Sequence, residues 1–222
     1  MTSSARRPFL NAGMRHPIVM PDGTPHAGTV HLSQVIDHPN ISVGDYIYYS
    51  SFDAPADYAA QLAPYLYPDP GAPERLTIGK FCQLAHGVRF ITSSANHAMT
   101  GFSTYPFPVF NRESMGAYAA EVGNLSDTSI GNDVWFGFES VIMPGVTIGD
   151  GVIVAARAVV TADVPDFSIV AGNPARVLRM RFPEDVTGRL AKVKWWDWDL
   201  DKIERNVGAI TGADIDALEN AA

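Results

Sequence analysis

The strongest pattern along the chain is a hydrophobic recurrence at every sixth residue between Ile130 and Val164. Aliphatic or aromatic residues stand at Ile130, Phe136, Ile142, Ile148, Val154 and Val160. Four places after each comes a small or β-branched residue: Val134, Ser140, Val146, Val152, Ala158 and Val164. A small residue often follows the start directly, as at Gly131, Gly137, Gly149 and Ala155. Amphipathic helices repeat at about 3.6 residues and strands at about 2, so a period of six is neither. It predicts a short-repeat solenoid in which each six-residue unit is one short strand and one turn. In such a coil the start residue points inward, the small residue lets the backbone corner, and the residue at i+4 completes the core.

The same pattern appears earlier in the chain, twice interrupted. Val43, Gly44, Ile47 and Tyr49 supply the first hexad material, and residues 50–73 then break the register. A short helix is predicted there near Asp57–Leu62. Starts resume at Ile78, Leu84 and Phe90, with Cys82 and Val88 at i+4. Register is lost again over 91–128, then runs from Ile130 to about Val170. A long loop inside a regular coil is uncommon unless it has work to do. This one carries Ser94-Ala-Asn-His97 and Ser103-Thr-Tyr105-Pro-Phe107.

The chain therefore divides into an irregular arm over 1–40, a coil over 41–176 with excursions at 50–73 and 91–128, and a tail over 177–222. One strand is predicted in the arm around Thr29–Val35. In the tail, Pro183 suits the first turn of a helix with Val186, Leu190 and Val193 on one face. Leu200, Ile203, Val207 and Ile210 mark a second helix beginning near Asp199, and a third falls around Asp214–Glu219. Trp195, Trp196 and Trp198 sit at the joint, where they are expected to pack the tail on the coil.

Charge and composition narrow the class. Sixteen basic against 24 acidic residues give a net charge of −8, which argues against a nucleic-acid or anionic-membrane surface. No apolar run reaches the ~18 residues of a membrane span, and the amino terminus lacks a basic-then-apolar leader, so the expectation is a cytoplasmic protein. A single cysteine forms no intrachain disulfide. Cys82 falls at a core position of its hexad, where an apolar setting leaves a thiol inert.

Of the six histidines, His16, His26, His31 and His38 lie in the arm. His86 takes the third place of the Leu84 hexad, an expected exposed corner. His97 differs in lying within the long excursion beside Asn96, and an imidazole can accept an alcohol proton near neutral pH. Only His86 and His97 fall near the coil, without the spacing of a three-histidine zinc site, so no metal is expected.

Several runs together carry a resemblance: Val43-Gly-Asp-Tyr-Ile-Tyr-Tyr49, Ile78-Gly-Lys-Phe-Cys82, Ala95-Asn-His97, Ser103-Thr-Tyr-Pro-Phe107, Ile130-Gly-Asn-Asp-Val-Trp135, Val141-Ile-Met-Pro-Gly145, Ala171-Gly-Asn-Pro-Ala175 and Lys194-Trp-Trp-Asp-Trp198. Over roughly residues 40–210 the chain resembles the xenobiotic acetyltransferases. These are hexapeptide-repeat enzymes that include streptogramin A (virginiamycin) and type B chloramphenicol acetyltransferases. The resemblance implies a mainly β fold, a left-handed parallel β-helix with a long excursion loop and a C-terminal α-helical tail. It also implies a homotrimer with active sites at subunit interfaces, acetyl-CoA as donor and an antibiotic hydroxyl as acceptor. His97 matches the family's general base. Acceptor contacts are implied at Tyr48, Tyr67, Tyr105, Val122 and Trp135. The CoA arm is implied along Trp135, Gly137, Ala155 and Ala156, with its nucleotide end near Asn173, Pro174 and Arg176, Arg179 or Arg181. Phe102 is an extra residue against the family pattern, and residues 108–125 lack the Trp-Glu-Lys-His stretch of the streptogramin branch. The acceptor therefore stays open between streptogramin A-like and chloramphenicol-like molecules. A transferase acting on a sugar or cell-surface glycan is the enzymatic alternative, and a non-catalytic trimeric solenoid is the alternative from another class.

Overall fold

The structure, a computed structural model, describes residues 10–68, 74–114 and 126–222. Its centre is built from very short strands that follow one another through three sheets in rotation. Sheet I holds β2 (Ile41–Val43), β4 (Leu76–Ile78), β7 (Thr128–Ile130) and β10 (Thr147–Ile148). Sheet II holds β3 (Tyr48–Ser50), β5 (Gln83–Leu84), β8 (Trp135–Phe136), β11 (Ile153–Val154) and β13 (Ser168–Gly172). Sheet III holds β6 (Arg89–Phe90), β9 (Val141–Ile142) and β12 (Val159–Val160). Pairing among these strands is parallel, and Ile148, Val154 and Val160 lie opposite Ile130, Phe136 and Ile142, each three hexads back.

Sheet II has an antiparallel strand at either end. There β1 (Thr29–His31) pairs with β3, and β14 (Ala175–Met180) pairs with β13. The predicted arm strand is thus present as three residues, and the rest of its predicted span begins a 3-10 turn at Leu32–Gln34.

The core is the row of start residues and their i+4 partners. Ile78, Leu84, Phe90, Ile130, Phe136, Ile142, Ile148, Val154 and Val160 are buried, as are Cys82, Val88, Val134, Val146, Val152 and Ala158. Fully burying one such side chain contributes roughly 1.5–3 kcal/mol. Ser140 keeps the i+4 position but is buried without a hydrogen-bond partner for its hydroxyl among the described residues.

Two details correct the hexad as read from sequence. The backbone turns at the third place after most starts, where Tyr46, Phe81, Gly87, Asp133, Glu139, Gly145, Gly151, Arg157 and Phe167 all have positive φ. Each non-glycine residue held there costs about 1–2 kcal/mol, and it persists because the sheets on either side fix the corner. The glycine directly after a start serves another purpose, which is stacking. A Cβ on Gly131 would lie 2.6 Å from Asp150 Oδ1 and 2.7 Å from Asp150 N, and one on Gly149 would lie 2.7 Å from Asp166 N. Through these gaps a side-chain oxygen reaches the amide of the coil before it: Asp166 accepts from Asp150 N (2.8 Å), Asp150 from Asn132 N (2.7 Å), and Asn132 from Lys80 N (2.8 Å). The second correction concerns Val164. It bridges to Ile148 and is buried as a start residue, so the corner before it is two residues shorter than the period.

Helix α1 (Tyr58–Leu62) lies in the first excursion, capped by the Asp57 side chain accepting from Ala60 N. The tail holds α2 (Glu184–Val193), α3 (Leu200–Gly212) and α4 (Ile215–Ala221), with Asp199 and Asp214 capping the last two. Trp196 is buried at 2% exposure beside Phe167, and Trp195 lies 4.9 Å from the Phe81 ring. The tryptophans thus pack the tail against the coil corners. Among the described residues no helix is long and apolar enough to cross a membrane.

Gly131→Ala is expected to lower stability by about 1–3 kcal/mol, because backbone blocks the added methyl. That corresponds to a fall of roughly 2–12 °C in melting temperature for a chain of this size. Gly188→Ala, inside α2 with nothing within 4 Å of the added Cβ, is expected to stabilise by roughly 0.5–1 kcal/mol. Thermal unfolding of the two variants checks the contrast.

Candidate active site

The loop that leaves β6 begins with a 3-10 turn at Ser93–Ala95, and His97 follows two residues later. Its side chain is exposed, with Nδ1 2.8 Å from the carbonyl oxygen of Thr104. A carbonyl oxygen only accepts, so Nδ1 is the nitrogen that carries the proton. Nε2 is then the nitrogen with the lone pair, on an exposed side chain. The loop is folded on itself by rings: Tyr105 lies 4.6 Å from Phe107 and 5.4 Å from Phe110. A recess of about 310 Å³ opens in it, lined by Ala98, Thr100, Gly101, Ser103, Thr104, Tyr105 and Pro108. Phe102, the extra residue of the sequence pattern, is fully exposed.

A second group of candidates lies on the outer face of sheet II. Residues preceding each start point outward there, and strand register sets Tyr48 opposite Gln83, Gln83 opposite Trp135, and Trp135 opposite Ile153. Tyr48 is 38% and Trp135 50% exposed. Gln83 between them was not singled out from sequence, although its place directly before Leu84 is the signal shared by Tyr48 and Trp135. Its Nε2 donates to the Phe81 carbonyl (3.1 Å) and more weakly to Asp133 Oδ1 (3.4 Å). Burial raises the Asp133 carboxyl above the usual range, while the Arg181 guanidinium opposes the rise. Tyr67 is exposed in the first excursion. Val122 lies outside the described residues. Among those described, no hydrogen bond or ring contact joins His97 or Tyr105 to Tyr48, Tyr67 or Trp135.

Residues 127–162 match the bacterial transferase hexapeptide (six repeats) family model. A chloramphenicol acetyltransferase of Agrobacterium fabrum is 39% identical over 196 residues, 85% of this chain and 90% of the relative. A virginiamycin A acetyltransferase of Staphylococcus aureus is 41% identical over 191 residues, 85% of this chain and 84% of the relative. A probable macrolide acetyltransferase of Lysinibacillus sphaericus is 43% identical over 150 residues, 66% of this chain and 83% of the relative. The chain belongs to the xenobiotic acetyltransferase family. As a member it is an acetyltransferase.

The candidates for CoA contact in this acetyltransferase differ in what they offer. Gly137 is buried, and a Cβ there would lie 2.5 Å from Ala156 N. Its bare face is filled by the next coil, so it clears no room for a ligand. Ala155 is half-buried and Ala156 exposed, which leaves both on the outside of the coil. Asn173 and Pro174 form the exposed turn between β13 and β14. On β14, Arg176 and Arg179 are exposed and bond only backbone carbonyls, those of Ala175 (2.8 Å) and Met180 (3.0 Å). Neither faces a carboxylate among the described residues, so both suit a phosphate. Arg181 is already engaged, donating to the Gly151 carbonyl (2.6 Å) and lying 3.4 Å from Asp133.

His86 departs from the expected exposed corner. It stacks on Phe52 at 4.6 Å and faces Phe138 at 5.9 Å, with Nδ1 directed at Ser51 Oγ and Phe52 N. Cys82 is fully buried, and burial pushes its thiol up to about 12. The folded protein is therefore expected to show no reaction of Cys82 with an aromatic disulfide reagent at pH 8. One thiol per chain should appear on adding denaturant, read by absorbance.

Proposed function

We propose that this acetyltransferase moves the acetyl group of acetyl-CoA to a hydroxyl of an antibiotic of the chloramphenicol or streptogramin A kind, with His97 as general base. The observation that carries this reading is the bond from His97 Nδ1–H to the Thr104 carbonyl. It fixes the ring and leaves Nε2 as the atom able to take a proton. The acceptor kind is supported by the chloramphenicol and virginiamycin A acetyltransferases that this chain resembles over most of its length.

Nε2 of His97 takes the acceptor's hydroxyl proton as that oxygen bonds to the thioester carbonyl carbon. The tetrahedral oxyanion then collapses, the carbon–sulfur bond breaks, and the CoA thiolate takes the proton from the imidazolium. The products are an acetyl ester and free CoA, the histidine returns to its neutral form, and no covalent intermediate with the enzyme is needed. Tyr48, Tyr67, Tyr105 and Trp135 form the apolar walls of the acceptor site in this reading. Trp135 and the surface of Ala155 and Ala156 flank the CoA arm. Asn173, Pro174, Arg176 and Arg179 meet its nucleotide end.

A homotrimer whose active sites lie between subunits belongs to this reading, in keeping with the lack of any hydrogen bond or ring contact between His97 and Tyr48 or Trp135 among the described residues. One chain's loop then faces its neighbour's coil. A left-handed sense for the coil belongs to the same reading.

His97→Ala is expected to lose about 10²–10⁴-fold in turnover, measured as CoA release with chloramphenicol and with a streptogramin A acceptor. Near-normal turnover by a folded variant would reject the assignment. Arg176→Ala combined with Arg179→Ala is expected to raise KM for acetyl-CoA several-fold and to leave KM for the acceptor unchanged. An unchanged acetyl-CoA KM would move the nucleotide end elsewhere.

A further inference from the structure

Both excursions return to the coil at the same corner, the one leading into sheet I. The first returns at Glu74 before β4, and the second at Ser126 before β7. Because Leu76 pairs with Thr128, Glu74 and Ser126 occupy equivalent places in successive coils. Glu74 is a carboxylate at only 2% exposure. Its Oε1 accepts from the Ser94 backbone amide (3.2 Å) and from the Ser94 hydroxyl. Ser94 lies in the 3-10 turn that begins the second excursion, three residues before His97. Ser93 Oγ lies 3.4 Å from the Ser126 amide, which closes the neck of that excursion weakly, while Ser94 is tied across it to the end of the other.

Burying a carboxylate is expensive unless it is paired or hydrogen-bonded. Glu74 Oε1 is spent on a surface turn, and Oε2 is buried without a hydrogen-bond partner among the described residues. We infer that Glu74 is a positioning residue for catalysis, holding the Ser93–Ala95 turn so that His97 is presented at a fixed height above the coil. The inference rests on the reading of His97 as the base. Glu74 touches no reacting atom, and its effect passes through Ser94. Misplacing a catalytic group by about 1 Å can cost on the order of 10²-fold in rate.

The test is a double-mutant cycle of Glu74→Ala and Ser94→Ala in the full-length protein. Ser94 is exposed, so its variant keeps the packing even if the Glu74 variant folds poorly. Each single variant is expected to lower kcat by roughly 10–100-fold, with KM for acetyl-CoA within twofold of wild type. The double variant should lose no more than Glu74→Ala alone, since that variant already removes the hydroxyl contact that Ser94→Ala removes, along with the amide contact. Effects on kcat that multiply, or a kcat unchanged in folded Ser94→Ala, would overturn the inference. His97→Ala run alongside separates the two levels. If it abolishes turnover while Ser94→Ala is normal, only the role of Glu74 fails; if it is itself active, the base assignment fails first.

Discussion

The structure depends on a contact between consecutive coils in which a carboxylate or amide oxygen passes over a glycine to reach a backbone N–H. Asn132, Asp150 and Asp166 each do this for the coil before them. The strands here are mostly two or three residues long, so ladder bonds alone hold little of each turn. The corners leave amides that no strand can satisfy, and an unpaired buried donor costs about 1–3 kcal/mol. The Asx side chains satisfy those donors, and the missing Cβ of Gly79, Gly131 and Gly149 lets them approach. With the corners held, the positive-φ residues next to them are tolerated, and the inward rows of Ile, Val, Leu and Phe keep a common register.

That frame explains why two excursions can be inserted without disturbing the stack. Strands β2, β4 and β7 pair in register although residues 50–73 and 91–128 intervene. Closure entropy grows slowly with loop length, so the main demand falls on the neck of each loop. There Glu74, Ser93, Ser94 and Ser126 do for the excursions what the Asx residues do for the ordinary corners. A rigid support carrying a loop with one anchored imidazole is a general solution for holding a reactive group in place.

Much of this was legible in the sequence because the period of six involves bulky core residues, whose burial leaves little choice. The core rows, the helix at Tyr58–Leu62, the tail helices from Asp199 onward and the tryptophan joint all lie where apolar spacing and capping residues put them. The two-residue shortening before Val164 was not legible. Val164 is apolar and fits equally as the i+4 residue of one unit or the start of the next, and only pairing with Ile148 decides. The purpose of the post-start glycine was likewise hidden, since a residue that makes room looks the same in sequence whether a ligand or the neighbouring coil takes the room. His97 stood out by its loop, but the Thr104 carbonyl that fixes its tautomer is backbone, which has no sequence signature. Gln83 and Glu74 are ordinary polar residues until register places one between Tyr48 and Trp135 and the other under Ser94.

The reversed strands at the two ends of sheet II have a consequence beyond this single chain. A stack of parallel strands presents the same unfinished ladder at top and bottom, which is a template for another copy to continue. Here the outermost strands, β1 and β14, run against the direction of the stack. A second molecule arriving end-on meets a strand of the wrong polarity on one sheet while the other two would need the right one, so the three ladders cannot be extended together. Reversal thus acts as a terminator, keeping a fold built like a fibre from becoming one.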